Sequence, residues 1–224
     1  VHGMKKILSW VRNDNRAIRW AKAHKTRYRS KCRYFVKLDI KQCYRSLRKE
    51  VFMKYFRRDC ANGDLIWLWD TLLESHKVLI GGNAEGNRYE GFMIGALPSQ
   101  WACQYLMSFV YRHITGLCST RRGKRIRWAN KVLIYMDDII LTGSARKYLL
   151  MAARSASAWL RKNMSLDIKE HWQVTELSKT PIDMMGFRIH REGRVTIRPR
   201  IFLRMRRAAL RFLVSGRMTV KQAR

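Results

Sequence analysis

Acidic residues are scarce in this chain. Sixteen Asp and Glu stand against 47 Lys and Arg in 224 residues, a formal net charge of +31 at pH 7. That surplus exceeds what solubility requires and implies a polyanionic partner, nucleic acid first and an anionic membrane surface second. Cysteine is sparse and odd in number: Cys32, Cys43, Cys60, Cys103 and Cys118 include no C-x-x-C pair. Zinc sites and a disulfide framework are therefore not expected. A reducing cytoplasm fits, and all five read as small core or near-surface residues. No apolar run approaches the roughly 18 residues of a membrane span, and nothing resembles a signal peptide. Internal repeats and low-complexity tracts are also missing.

What the chain does have is apolar mass. Hydrophobic residues make up 47%, enough for the core of one large domain or two small ones, and too many for global disorder. Eight Trp and nine Tyr are interleaved with the basic residues, a mixture suited to stacking on bases as well as to core packing. Residues 4–24 read as a basic helix or helix pair, with Asn13-Asp14-Asn15 as the expected break. Cys32 to Ile40 reads as a strand ending in Asp39. Helices are expected from Ser46 onward and over 65–76, followed by a glycine-rich hairpin or loop from Lys77 to Phe92. A punctuated loop over 91–100 precedes a helix carrying Trp101, Tyr105, Phe109 and His113. The basic cluster Arg121–Arg127 reads as an exposed linker. Residues 146–162 form an amphipathic helix, His171 to Glu176 a short strand, Met184 to Ile197 a hairpin and 200–214 a strongly basic helix. The order is α+β, with helices on one face of a largely antiparallel sheet.

The chemistry centres on Lys131–Leu141 (KVLIYMDDIIL). Two short apolar runs flank two adjacent aspartates, the pattern of a β-hairpin with Asp137 and Asp138 at its turn. On this stretch alone, ordinary turn aspartates explain the pair as well as a site does. Asp39 bears on that choice, because it too ends an apolar strand in a chain short of acids. Carboxylates near an apolar core need positive partners. Neighbouring strands would bring Asp39 beside the turn. Three carboxylates around one point can hold two Mg²⁺ ions with help from substrate phosphates, and so clamp the attacking hydroxyl and leaving pyrophosphate of an in-line displacement.

Tyr135-Met136-Asp137-Asp138 resembles the Y-x-D-D box of reverse transcriptases, and Asp39 in FVKLDIKQCYRSL resembles that family's first catalytic motif. The resemblance implies a right-hand polymerase: a palm of antiparallel sheet backed by helices, with partial fingers and the start of a helical thumb. It implies that Asp39, Asp137 and Asp138 are catalytic and metal-binding, with two Mg²⁺ (Mn²⁺ able to substitute). Tyr44 stands where the family places an aromatic steric gate, a ring that clashes with a 2′-hydroxyl; a packed junction aromatic is the plain alternative. Most of the family carries Q-G-x-x-x-S-P in the loop that here reads Ile94-Gly95-Ala96-Leu97-Pro98-Ser99-Gln100. The I-G-x-x-x-S-Q form resembles the reverse transcriptases of diversity-generating retroelements. His171-Trp172-Gln173-Val174, Gly186-Phe187-Arg188-Ile189 and the basic 200–214 helix are similar to that group too. In that group the loop is expected to meet the incoming nucleotide and the template, which makes Ile94, Gly95 and Gln100 nucleotide-binding candidates. An aliphatic residue at Ile94 cannot hydrogen-bond the nucleotide, and goes with error-prone copying of template adenines; filling a hydrophobic slot is the alternative. Lys169 stands where polymerases place a general acid for pyrophosphate, or is a solvated lysine.

The resemblance further implies partial fingers over 1–31, palm over 32–47, fingers and palm helices with a hairpin over 48–90, palm with the catalytic hairpin over 91–190, and primer grip with the start of the thumb over 191–224. Val1-His2-Gly3 resembles a point inside the fingers, and the thumb is expected to be cut short at Arg224. Expected partners are template RNA, cDNA or primer, deoxynucleoside triphosphates and a basic oligomeric accessory protein, with no membrane, in the cytoplasm of a bacterial or phage-infected cell. The expected role is mutagenic retrohoming, in which the cDNA replaces a variable region of a target gene. Two rivals stay open: a retron, group II intron or phage-defence reverse transcriptase, and a non-catalytic RNA-binding protein on a polymerase-like fold.

Overall fold

Alternation along Tyr34–Asp39 sets the architecture, because successive side chains of a strand point to opposite faces. Val36 and Leu38 are fully buried on one face; Lys37 and Asp39 belong to the other. The computed structural model describes residues 2–75, 77–82 and 88–215. In chain order these form α1 (His2–Ala23), β1 (Tyr34–Asp39), α2 (Cys43–Ser46), α3 (Lys49–Asp59), α4 (Gly63–Ser75), β2 (Lys77–Gly82), β3 (Arg88–Phe92), α5 (Leu97–Gly116), β4 (Cys118–Arg121) and β5 (Lys124–Arg127). Then come β6 (Lys131–Tyr135), β7 (Asp138–Gly143), α6 (Arg146–Met164), β8 (Thr175–Glu176), β9 (Ile182–Met184), β10 (Phe187–Ile189), β11 (Val195–Ile197) and α7 (Pro199–Ser215). The glycine-bearing tip expected between β2 and β3 lies at 83–87, outside the described residues.

The chain divides into two units, one spanning Arg29–Glu176 and the other joining Val1–Tyr28 to Leu177–Arg224. The first holds a four-stranded antiparallel sheet in the order β6-β7-β1-β8. Helices α5 and α6 pack behind it. The apolar face of β1 meets Leu106 and Val110 of α5, and Leu149, Ala153 and Leu160 of α6, in one continuous core. Small residues on α6 (Ala152, Ala153, Ala156, all fully buried) let that helix approach the strands closely. Helices α3 and α4 extend the core through an aromatic cluster of Phe52, Phe56, Trp69 and Tyr105. Asn62 caps α4, its side-chain oxygen accepting from the Leu65 amide at 3.0 Å. The expected α+β palm, an antiparallel sheet with helices on one face, is what the chain forms.

The second unit packs α1 against a three-stranded sheet ordered β11-β10-β9. Here the expected break at Asn13-Asp14-Asn15 is overturned, since α1 runs unbroken from His2 to Ala23. Ile7, Val11, Asp14 and Ala21 all fall on the buried face of the helix. Asp14 is tolerated there because Arg191 Nη1 donates at 2.8 Å and the Tyr28 hydroxyl at 2.9 Å. Three further expectations change. Arg121–Arg127 is not a linker but the β4–β5 hairpin, turned at Arg122 (φ +49) and Gly123 (φ +71), the sign pattern of a type I′ turn. Helix α5 begins inside the expected loop, at Leu97, with Pro98 in its first turn. The strand expected over His171 to Glu176 is reduced to Thr175–Glu176. None of the described helices is long and apolar enough to cross a membrane.

Candidate active site

The register between β1 and β7 pairs Asp39 with Asp138. Residues directly opposite in an antiparallel ladder share a face, and so do residues two apart on one strand. Lys37, Asp39 and Asp138 therefore stand together on the sheet face away from α5 and α6. The apolar sequence of β6 and β7 leaves Met136 and Asp137 as the two-residue turn between paired Tyr135 and Asp138. Met136 is left-handed there, at φ +52, a region that disfavours non-glycine residues by roughly 1–2 kcal/mol. The amide of Ile40, just past β1, donates to the Asp137 carbonyl at 3.1 Å. The turn carrying Asp137 is thus tied to the end of the strand carrying Asp39. All three expected aspartates lie at one end of one sheet.

Each of two carboxylates has a lysine. Lys37 Nζ lies 2.8 Å from Asp138 Oδ1, and Lys169 Nζ 2.9 Å from Asp39 Oδ1. Asp39 Oδ1 is shielded from solvent, and the Lys169 ammonium is the cation beside it. Burial raises the pKa of Asp138 above the ordinary carboxylate value, and Lys37 offsets only part of that. Contact with the Asp39 carboxylate, together with its charge, raises the Lys169 pKa. Lys169 reaches this position because its chain segment runs alongside β1, with the Lys169 amide on the Asp39 carbonyl at 2.9 Å and the Lys41 amide on the Asp167 carbonyl at 2.7 Å. Lys37 is the residue that sequence reasoning missed. Its signal was the two-residue spacing from Asp39 within an alternating strand.

Tyr44 lies in α2, entered through Gln42 at φ +47. Burial pushes its phenol up to about 12, so the group remains a neutral hydroxyl. Beside it, Cys43 Sγ is 3.7 Å from Cys103 Sγ of α5. That hydrogen bond and burial raise the Cys43 thiol well above its ordinary value. Strand β3 lies close against α2. A β-carbon at Gly91 would stand 2.5 Å from the Arg45 carbonyl oxygen, so only hydrogen fits there. Ile94 is 68% exposed and fills no slot in this chain. Gly95 supplies the turn at φ +91, and Gln100 is half-buried in the first turn of α5. Next to it, Ser99 Oγ is buried without a hydrogen bond.

Residues 3–189 match the family model described as reverse transcriptase (RNA-dependent DNA polymerase). The chain belongs to the reverse transcriptase family. Among solved structures, apo telomerase from Candida tropicalis is similar at a TM-score of 0.61 and 17% identity, over 88% of this chain and 36% of that one. The same telomerase truncated from its C-terminal domain is similar at 0.57 and 19%, over 88% and 40%. The form in complex with the TWJ fragment of telomeric RNA is similar at 0.57 and 18%, over 86% and 32%. These likenesses concern the fold, and the chain spans about a third of the length of the telomerases it matches. None of the curated proteins compared with it matches.

The family generally uses divalent metals. The side chains present suit a hard cation: the donors are carboxylate oxygens, and Asp39 Oδ1, shielded from solvent, already has a cationic group 2.9 Å away in Lys169 Nζ. As folded, no three His, Cys, Asp or Glu side chains among the described residues are gathered to hold an ion. Lys37 and Lys169 balance the carboxylates instead.

Proposed function

We propose that this chain carries the catalytic core of an RNA-directed DNA polymerase, with Asp39, Asp137 and Asp138 as its metal-binding acids. The observation that carries the reading is the pairing of Asp39 with Asp138, together with the Ile40–Asp137 bond that brings the turn to the same sheet end. Asp39, Asp137 and Asp138 would hold the cations, substrate phosphates completing the ligand set. When bound, divalent cations would activate the primer 3′-hydroxyl and neutralise the triphosphate. Lys169, kept protonated by its acidic neighbour, would give a proton to the leaving pyrophosphate. The Tyr44 ring would stand under the sugar and exclude a 2′-hydroxyl. Deoxynucleoside triphosphates, template RNA and primer are the substrates of this reading. Residues 32–47 and 91–190 are assigned to the palm, 1–31 to partial fingers, 48–90 to fingers and palm helices, and 191–224 to the primer grip and start of the thumb.

The finer reading is a diversity-generating retroelement enzyme of a bacterial or phage-infected cytoplasm, working with a basic oligomeric accessory protein. Its support is the I-G-A-L-P-S-Q loop and the exposure of Ile94, which leaves an aliphatic side chain free to face a nucleotide it cannot hydrogen-bond. Primer extension on a defined RNA tests both levels. Asp39→Asn is expected to abolish extension while the fold, read by circular dichroism, persists; unchanged extension would overturn the polymerase reading. Sequencing the cDNA is expected to show errors concentrated at template adenines, and a uniform error rate would overturn the retroelement reading alone.

A further inference from the structure

A cleft of about 620 Å³ opens on the Arg29–Glu176 unit, between the first half of α6 and the segment that leads into β8. Its volume falls within the ~300–1,000 Å³ of small-ligand sites. Leu150, Trp172 and Val174 line it with apolar surface, and Arg146, Lys147 and Arg154 line it with positive charge. The spacing follows from the helix. Arg146, Leu150 and Arg154 recur every four residues, so the two arginines sit two turns and about 12 Å apart on one face with a leucine between them. All three cations are exposed, and none enters an ion pair with an acid among the described residues. Trp172 is half-buried, its ring packed partly against the core. Glu170 and Gln173 complete the lining and offer acceptors for N–H groups.

We infer that this cleft is a second nucleic-acid site, taking a segment of single-stranded RNA with its phosphates on Arg146, Lys147 and Arg154 and an unpaired base on Trp172. An aromatic face flanked by cations recognises both parts of a nucleotide, since every base has a π-face and every link a charge. A duplex presents phosphates but hides its base faces, so the site selects single strands. The cleft leads away from the carboxylates. Strand β8 pairs with Tyr34 and Phe35, at the end of β1 opposite Asp39, roughly 16 Å away at about 3.3 Å per residue. Glu170, however, directly follows Lys169. RNA held here would lie alongside the palm, beginning one residue from the catalytic end and leading away from it.

The test is fluorescence anisotropy of a labelled single-stranded RNA 20-mer with the 224-residue chain, without nucleotide or divalent cation, so that failure of the polymerase reading leaves the result interpretable. The triple variant Arg146→Gln/Lys147→Gln/Arg154→Gln is expected to weaken binding at least tenfold and to lower the slope of log affinity against log salt by about 2, at ~0.7 per phosphate contact. A charge-matched control, Lys5→Gln/Lys6→Gln/Arg16→Gln in α1, is expected to weaken binding less than threefold. Trp172→Leu is expected to weaken RNA binding about tenfold, Trp172→Phe less than threefold, and neither to change binding of inorganic polyphosphate. Equal losses in the two triple variants would reduce the site to bulk charge and overturn it. Unchanged RNA binding in Trp172→Leu would overturn the base contact. Loss of poly-glutamate binding with RNA binding intact would assign the cleft to an acidic protein instead.

Discussion

Two hairpins in this molecule turn on a methionine and differ in the residue after it. Met136 and Met185 both sit at φ +52, but Met185 is succeeded by Gly186 at φ +83, whereas Asp137 is not left-handed. The second hairpin, β9–β10, thus has the signs of a type I′ turn with glycine where the backbone wants it. The first has the signs of type II′, which places glycine at the position Met136 occupies. The acids differ as well. Asp138 faces one lysine and stands beside two other carboxylates, while Asp183 on β9 is locked to Arg198, whose Nε lies 3.0 Å from Oδ2, with Arg188 Nε at 3.7 Å. Both turns hold a left-handed methionine, but only the second follows it with glycine and gives its acid two arginines; the first follows it with Asp137 and leaves Asp138 a single lysine. Such departures from local preference gather at functional sites.

The contrast is broken most sharply by removing one acid from each hairpin. Asp138→Asn is expected to cut primer extension by ~10³-fold or more, which corresponds to about 4 kcal/mol of transition-state stabilisation, while changing stability by less than ~1 kcal/mol. Asp183→Asn is expected to keep extension within about threefold and to lose roughly 1–2 kcal/mol in urea unfolding, because a charge-assisted pair is lost. Comparable loss of activity in both would erase the distinction. Next in size is Gly186→Ala, expected to cost about 1–2 kcal/mol, since alanine at positive φ is strained and its β-carbon would stand 2.7 Å from Ile201 Cδ1. Met136→Gly runs the other way. Relief of the left-handed methionine outweighs the added freedom of the unfolded chain, for a gain of up to ~1 kcal/mol, read as a higher urea midpoint.

The smallest effect is on pH dependence. The Asp138 pKa is raised in the folded chain, so between the ordinary value of 3.8 and the raised one the folded state binds more protons than the unfolded. Its contribution to stability is complete below that window and is lost as pH rises through it. Lys37→Met removes the partial offset and is expected to shift the carboxyl resonance of Asp138 to a higher midpoint in an NMR titration. An unmoved midpoint would show that Lys37 does not govern this carboxylate.

Much of the site was legible because strands announce themselves by period two. Asp39 could be set beside Asp137 and Asp138 from two apolar runs, and the same alternation held Lys37 in plain view, unread. Lys169 was recognisable by position, but its pairing depends on a chain segment returning to β1, which no local pattern encodes. The contact between Cys43 and Cys103, 60 residues apart, is equally a product of tertiary packing. The misread elements share a cause. Asn13-Asp14-Asn15 has the composition of a break, yet Asp14 finds Arg191 and Tyr28 only once the chain has folded. The β4–β5 hairpin carries arginines on both faces, so charge hid its alternation; Arg122-Gly123 was the surviving signal.

The close fit at Gly91 has a use in engineering. Any side chain there must push against the Arg45 backbone, and Arg45 is the residue after Tyr44. The hairpin and the tyrosine's helix are therefore coupled like two gears with no backlash. A designer seeking to move the Tyr44 ring has a remote adjustment at position 91 that leaves the ring itself untouched.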